Sequence, residues 1–176
     1  MQTSVSNLAF RALLLMGLGS AGIFAAGCSA DAPTPVVAPA QDFSAIDEAI
    51  IKKYITDNAI TTAQKQPSGL YYVPVTSVPG AVPATAGRTV SVLYTGRFMD
   101  GRVFDASSQH GNTPISFVLG TGRVIKGWDE GIALMRKGEK GQLLIPSALA
   151  YGAAGAGSSI PPNTVLRFEV ELTDVQ

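Results

Sequence analysis

The sequence predicts an α+β domain in which one short helix covers an antiparallel sheet, with a further helix added on its N-terminal side. Three observations carry this reading. Near the end of the chain, Leu166, Phe168, Val170 and Leu172 alternate with Arg167, Glu169, Glu171 and Thr173. One buried and one wet face is the pattern of an antiparallel strand. From Gly69 to Leu119, short apolar runs are separated by turns rich in Gly, Pro and Asp. Only residues 44–56 and 128–137 show helical spacing, and one short helix set against one sheet makes the class α+β.

Each element has its own signal. In residues 44–56, Ser44 is a candidate N-cap with Asp47 three residues later. Ile46, Ile50, Ile51, Tyr54 and Ile55 share a face, and Glu48 and Lys52 form an i,i+4 pair. That stripe must be covered, either by the following domain or by a second copy in a homodimer. Gln66-Pro67-Ser68-Gly69 closes this helical region, 43–66. Strands are expected at 70–75 and 89–98, with Met99-Asp100-Gly101-Arg102 as a hairpin turn. The chain returns over 102–105, and 113–119 is another strand. Trp128, Ile132 and Met135 mark the helix at 128–137, with Gly138 placed to end it. A short apolar strand at 142–146 precedes the last one.

The first 41 residues are of another kind, with Arg11 and Asp31 as their only charges. Residues 12–26 are almost wholly apolar but too short for a membrane span of about 20 residues. They suit the apolar region of a secretory signal. Ala25-Ala26-Gly27-Cys28 then resembles the lipobox of bacterial lipoproteins. The resemblance implies a signal peptide at 1–27, lipid on Cys28, and an extracytoplasmic protein held at a membrane. Ser29, and not Asp, follows the cysteine, so the outer membrane is expected where a cell has two. Pro33, Pro35 and Pro39 make residues 28–42 an extended tether. Gly17-Leu18-Gly19-Ser20-Ala21-Gly22 matches a dinucleotide fingerprint only by letters, since no strand–helix unit surrounds it.

Composition excludes much chemistry. Lys+Arg and Asp+Glu number 13 each, which leaves no basic footprint for nucleic acid. One Cys and one His allow no intramolecular disulfide and no Cys/His zinc site. A catalytic dyad would need His110, which lies in a loop and reads as a solvated surface residue. Paired carboxylates and a phosphate-cradling loop are also missing, so no metal or cofactor is expected. A binding protein remains, or an enzyme whose chemistry needs no such groups.

At this point the letters become specific. Val92-Leu93-Tyr94-Thr95-Gly96 is followed by Asp100-Gly101-Arg102-Val103-Phe104-Asp105 and by Phe117-Val118-Leu119-Gly120. Val124-Ile125-Lys126-Gly127-Trp128-Asp129-Glu130-Gly131, Ala150-Tyr151-Gly152 and Ile160-Pro161-Pro162-Asn163 continue the series. In order and spacing, these motifs resemble an FKBP-type peptidyl-prolyl cis-trans isomerase over residues 67–176. The resemblance implies about five antiparallel strands wrapped around one short helix. It also implies proline-containing polypeptide substrates and a role in folding extracytoplasmic proteins. The alternative is a lipid-anchored chaperone or peptide-binding module with little isomerase activity.

Residue by residue, the resemblance places Trp128 beneath the proline ring. Tyr94, Phe104, Val124, Ile125 and Phe168 would be walls, with Ile160 on the loop side and Ile115 at the rim. Asp105 would be a partly buried carboxylate near the substrate carbonyl, and Tyr151 a hydroxyl donor. The implied catalytic set is Asp105, Tyr151, Trp128 and Phe104. Ile115 stands where the family often has an aromatic wall, Ala156 and Ser159 are small, and no Arg in 105–114 can pair with Asp105. A roomier, less greasy rim is expected.

Overall fold

The structure, a computed structural model, describes residues 41–176. The expected signal segment, Cys28 and nearly all of the tether lie outside the described residues. Seven strands form one antiparallel sheet: β1 (Gln64–Lys65), β2 (Tyr71–Thr76), β3 (Thr89–Phe98), β4 (Val103–Ala106), β5 (Ile115–Val118), β6 (Lys140–Ile145) and β7 (Leu166–Val175). Their order is β1-β2-β6-β7-β3-β4, with β5 also on β3. The count exceeds five for two reasons. β1 is a two-residue extension, and the ten-residue β3 serves two partners along one edge. β5 pairs with its first half, Thr89 to Val92, and β4 with Thr95 to Arg97.

Both faces of the sheet centre are covered, by different helices. Helix α2 (Lys126–Ile132) sits on the inner face, where Trp128 and Ile132 meet Tyr72, Leu143, Ile145, Phe168, Val170 and Leu172. Helix α1 (Ser44–Asp57) covers the other face, where Ile51 packs with Tyr71, Val73, Leu144 and Val165. This explains why Tyr71-Tyr72-Val73 and Leu143-Leu144-Ile145 are apolar without alternation. Successive side chains point to opposite faces, and here both faces are dry.

Two expectations about helix ends need correction. Ser44 is the first helical residue and not the cap, and its N–H donates to Asp42 Oδ1 at 2.9 Å. Asp47 does not complete a capping box. It is buried, and its Oδ2 accepts from the Ser147 N–H (2.8 Å) and Oγ–H (2.6 Å), clipping α1 to the segment after β6. Helix α2 ends at Ile132, five residues before the expected end, because the chain beyond it is claimed by other partners. The Met135 carbonyl accepts from Ala84 N–H, the Lys137 N–H donates to Val82, and the Arg136 N–H donates to Glu139 Oε2. Gly138, at φ 84°, therefore turns the chain into β6 and does not cap the helix.

The stripe of α1 is used on its own domain. Ile51 is fully buried, with Tyr54 and Ile55 packed beside it, while Ile46 and Ile50 stay 47% and 38% exposed. No helix among the described residues is long and apolar enough to cross a membrane.

The substitution Ile51→Ala is expected to cost about 2–4 kcal/mol of unfolding free energy through lost burial and a cavity. Urea unfolding measures it; an unchanged midpoint would show that α1 is not docked on the sheet.

Candidate functional site

The site begins with glycines. A Cβ on Gly127 would lie 2.5 Å from Ile145 Cγ2, and one on Gly131 would lie 2.5 Å from Leu143 Cδ2. Without side chains there, α2 settles directly on β6 and carries Trp128 onto the inner face. The indole meets Phe168 at 5.3 Å and Tyr94 at 5.2 Å between ring centroids, both near perpendicular, and Phe117 at 6.0 Å. Edge-to-face contacts of this kind add to the stabilisation from burial. The loop before α2 is held by Asp129, whose two carboxylate oxygens accept from the Gly120 and Gly122 N–H groups at 2.8 and 2.9 Å.

These rings border a cavity of about 370 Å³, lined by Tyr94, Asp105, Ile115, Arg123, Val124, Ile125, Trp128, Tyr151 and Phe168. It is within the range of a small-ligand pocket, apolar with few polar groups. The structure thus brings eight of the expected residues together. Phe104 and Ile160 are not in the lining. The Phe104 ring lies over Gly96, where a Cβ would come within 2.6 Å, and stacks between Phe98 and Phe168. It supports the wall from behind. Ile160 is buried in the core, paired through its backbone to Ala156. Arg123 was missed, since an exposed loop residue leaves no periodic trace in the sequence.

A larger cavity of about 500 Å³ lies on the solvent-facing side of the sheet, bordered by Thr95, Lys140, Gln142, Glu169 and Glu171. Its lining mixes Val75, Leu93, Tyr94 and Val170 with Ser107, Ser108, Asn112 and the charged side chains, without the aromatic cluster of the smaller cavity. The chemistry is concentrated in the smaller one.

Asp105 is the pocket's one carboxylate. Its Oδ2 accepts from the Tyr94 hydroxyl at 2.6 Å, and its Oδ1 from the Ala106 N–H at 2.8 Å. The His110 Nε2 stands 2.8 Å from the same Oδ1. Desolvation pushes the Asp105 carboxyl up, but the hydrogen bonds from Tyr94, His110 and Ala106 outweigh it and leave the pKa below the usual value. Burial first, then the bond to Asp105, pushes the Tyr94 phenol well above its ordinary range. Burial and the charge of Asp105 also raise Tyr151. At neutral pH the site therefore holds one fixed negative charge, two neutral phenols and the positive charge of Arg123. His110, expected as a solvated loop residue, is exposed yet bound to the carboxylate; the short 3₁₀ turn Ser107–His110 folds it back. Four intervening residues hide that pairing from sequence spacing.

Among the described residues, no group of three His, Cys, Asp or Glu could hold a metal ion. What the arrangement offers is an aromatic box, one oriented carboxylate, the guanidinium of Arg123 and a few hydrogen-bond donors.

The model for FKBP-type peptidyl-prolyl cis-trans isomerases matches residues 80–173. The chain is similar to FK506-binding protein 2 of Yarrowia lipolytica, 56% identical over 92 residues, which cover 52% of this chain and 63% of that one. It is 50% identical over 92 residues to an FK506-binding protein of Neisseria meningitidis serogroup C, covering 52% of this chain and 84% of the relative. Among solved structures it is similar to FkpA from Escherichia coli, with a TM-score of 0.64 and 42% identity over 76% of this chain and 61% of that one. The chain thus spans somewhat less than two thirds of the Yarrowia and Escherichia proteins.

Replacing Tyr94 by Phe removes a hydrogen bond that favours the ionised carboxylate, so the Asp105 pKa is expected to rise. Carboxyl carbon NMR shifts followed against pH measure this, and an unmoved or lower midpoint contradicts the assigned network.

Proposed function

The chain belongs to the FKBP-type peptidyl-prolyl cis-trans isomerase family, and from that premise we propose that it isomerises X–Pro bonds of polypeptides folding outside the cytoplasm. The observation that carries the reading is the box of Tyr94, Trp128 and Phe168 beside a single carboxylate. Rotation about an X–Pro bond meets a barrier of about 18–20 kcal/mol from amide resonance. No bond breaks and no proton must move, which suits a site without acid–base pairs. Twisting the amide removes conjugation and lowers the charge on its carbonyl oxygen. A dry pocket disfavours the planar, more polar form, and the fixed charge of Asp105 near the carbonyl acts in the same direction. The indole of Trp128 offers a flat apolar floor for the proline ring. Tyr151 and the Ile125 N–H supply hydrogen bonds to the peptide. Catalysis is then differential binding of the twisted state, and each tenfold gain asks about 1.4 kcal/mol of these groups together.

A peptide assay that follows cis-to-trans conversion tests the proposal. The domain is expected to exceed the uncatalysed rate, and Trp128→Ala to lower kcat/KM at least tenfold with the fold retained by circular dichroism. A background rate for the unaltered domain, together with peptide binding at the same pocket, would favour the peptide-binding module over the enzyme.

The proposed address rests on Ala25-Ala26-Gly27-Cys28. Lipid on Cys28, followed by the Pro-rich 28–42 segment, would hold the domain near a membrane surface where unfolded secreted chains emerge. Labelling with a palmitate analogue is expected in the native chain and absent from Cys28→Ala; label retained by the variant would remove the anchor from the proposal.

A further inference from the structure

We propose that Asp47, on the added helix α1, is a positioning residue for the pocket: it fixes the turn that carries Tyr151. The inference rests on the isomerase reading above. Helix α1 lies outside residues 80–173, the stretch that matches the family model, so the contact it makes is an addition to the family's domain. Asp47 and Ser147 are each 2% exposed. Asp47 Oδ2 accepts both the Ser147 N–H at 2.8 Å and the Ser147 hydroxyl at 2.6 Å. Two donors on one buried carboxylate oxygen make a strong clip, since neither partner can turn to water instead. The helix's other polar contacts lead elsewhere. Glu48 meets Lys65 and Tyr71, and Tyr54 meets Gln142 and Arg167, none of which lines the cavity.

Ser147 passes this constraint on. Its carbonyl accepts from the Ala150 N–H at 3.0 Å, closing the 3₁₀ turn Ser147–Leu149 just before Tyr151. On the far side, the Gly152 carbonyl accepts from the Asn163 N–H at 2.8 Å. Tyr151 is thus held between two backbone bonds, one of which starts from a residue fixed by α1. The side chain has no anchor of its own. Among the described residues its hydroxyl forms no hydrogen bond, and it stays 39% exposed at the cavity. Where the phenol stands is therefore decided by the backbone beneath it. Loss of the Asp47 acceptor leaves the Ser147 N–H and hydroxyl buried without a partner. The turn must shift to bring them to another acceptor, and Tyr151 shifts with it. Positioned groups are sensitive to such movement: a misplacement of about 1 Å can cost about a hundredfold in rate. Here the Gly152 end stays tied to Asn163, so a smaller loss is expected.

The test measures kcat/KM for a short X–Pro peptide in the unaltered chain and in Asp47 variants, with folding followed by circular dichroism and urea. Asp47→Ala should lose roughly three- to tenfold. Asp47→Asn keeps an acceptor oxygen for Ser147 and should stay within about twofold of the unaltered chain. A double-mutant cycle with Tyr151→Phe separates positioning from a general structural role. Acting through the phenol, Asp47→Ala should cost little once the hydroxyl is gone; losses that multiply overturn the proposal. Tyr151 ring-proton shifts, read by NMR, follow the same coupling without catalysis and should move in Asp47→Ala but not in Asp47→Asn. Should Asp47→Ala not fold, Ser147→Ala removes one of the two donors and takes its place in the cycle, with a loss of about two- to threefold expected. A folded variant with unchanged kcat/KM, or with Tyr151 resonances unmoved, overturns the role of Asp47. Ring shifts that move in a chain whose unaltered rate equals the background overturn the isomerase reading instead.

Discussion

Helix α2 lies against β6 because Gly127 and Gly131 present no side chain to Ile145 and Leu143. That approach sets the depth at which Trp128 meets the sheet. The indole in turn fixes the rings of Tyr94 and Phe168, with which it makes near-perpendicular contacts. Were the helix lifted by one methyl group, the same aromatic residues would close over a different volume. Gly96 serves the other side of the site in the same way, admitting the Phe104 ring where a side chain would otherwise stand. Close packing leaves little freedom for such displacements, so the shape of the cavity is a consequence of three absent Cβ atoms.

Inside that frame, polarity is used sparingly. Asp105 sits among aromatic walls, yet three donors keep it ionised against the cost of desolvation. The phenols beside it remain neutral for the opposite reason, since burial and a neighbouring negative charge both disfavour phenolate. A carboxylate of known orientation beside an aromatic box can favour one electronic form of an amide over another without exchanging a proton.

The N-terminal helix adds a second core on the far face of the sheet. Ile51 packs on Tyr71, Val73, Leu144 and Val165, and buried Asp47 bonds to both the N–H and hydroxyl of Ser147. Ser147 begins the turn that leads to Tyr151 at the pocket. The helix and the site therefore share one segment of chain, although they lie on opposite faces of the sheet.

Local pattern was enough for much of the architecture. The alternation at 166–173 declares its strand, and the apolar stripe of 44–56 its helix, because both depend on near neighbours in the chain. The motifs around Tyr94, Asp105, Val124, Trp128 and Tyr151 are legible for the same reason: each is a short run of letters. Which of these residues share a cavity was decided only by the tertiary structure. Phe104 and Ile160 turn to the core because Gly96 and the Ala156 backbone offer them space, while Arg123 enters the lining from a loop without period. Helix α2 stops early because Val82, Ala84 and Glu139 claim its successors' backbone groups. Asp47 turns out to be a buried acceptor for a residue one hundred positions away, and His110 the partner of Asp105. Hydrogen bonds of this range are set by where folded segments meet, a property that no window of sequence contains.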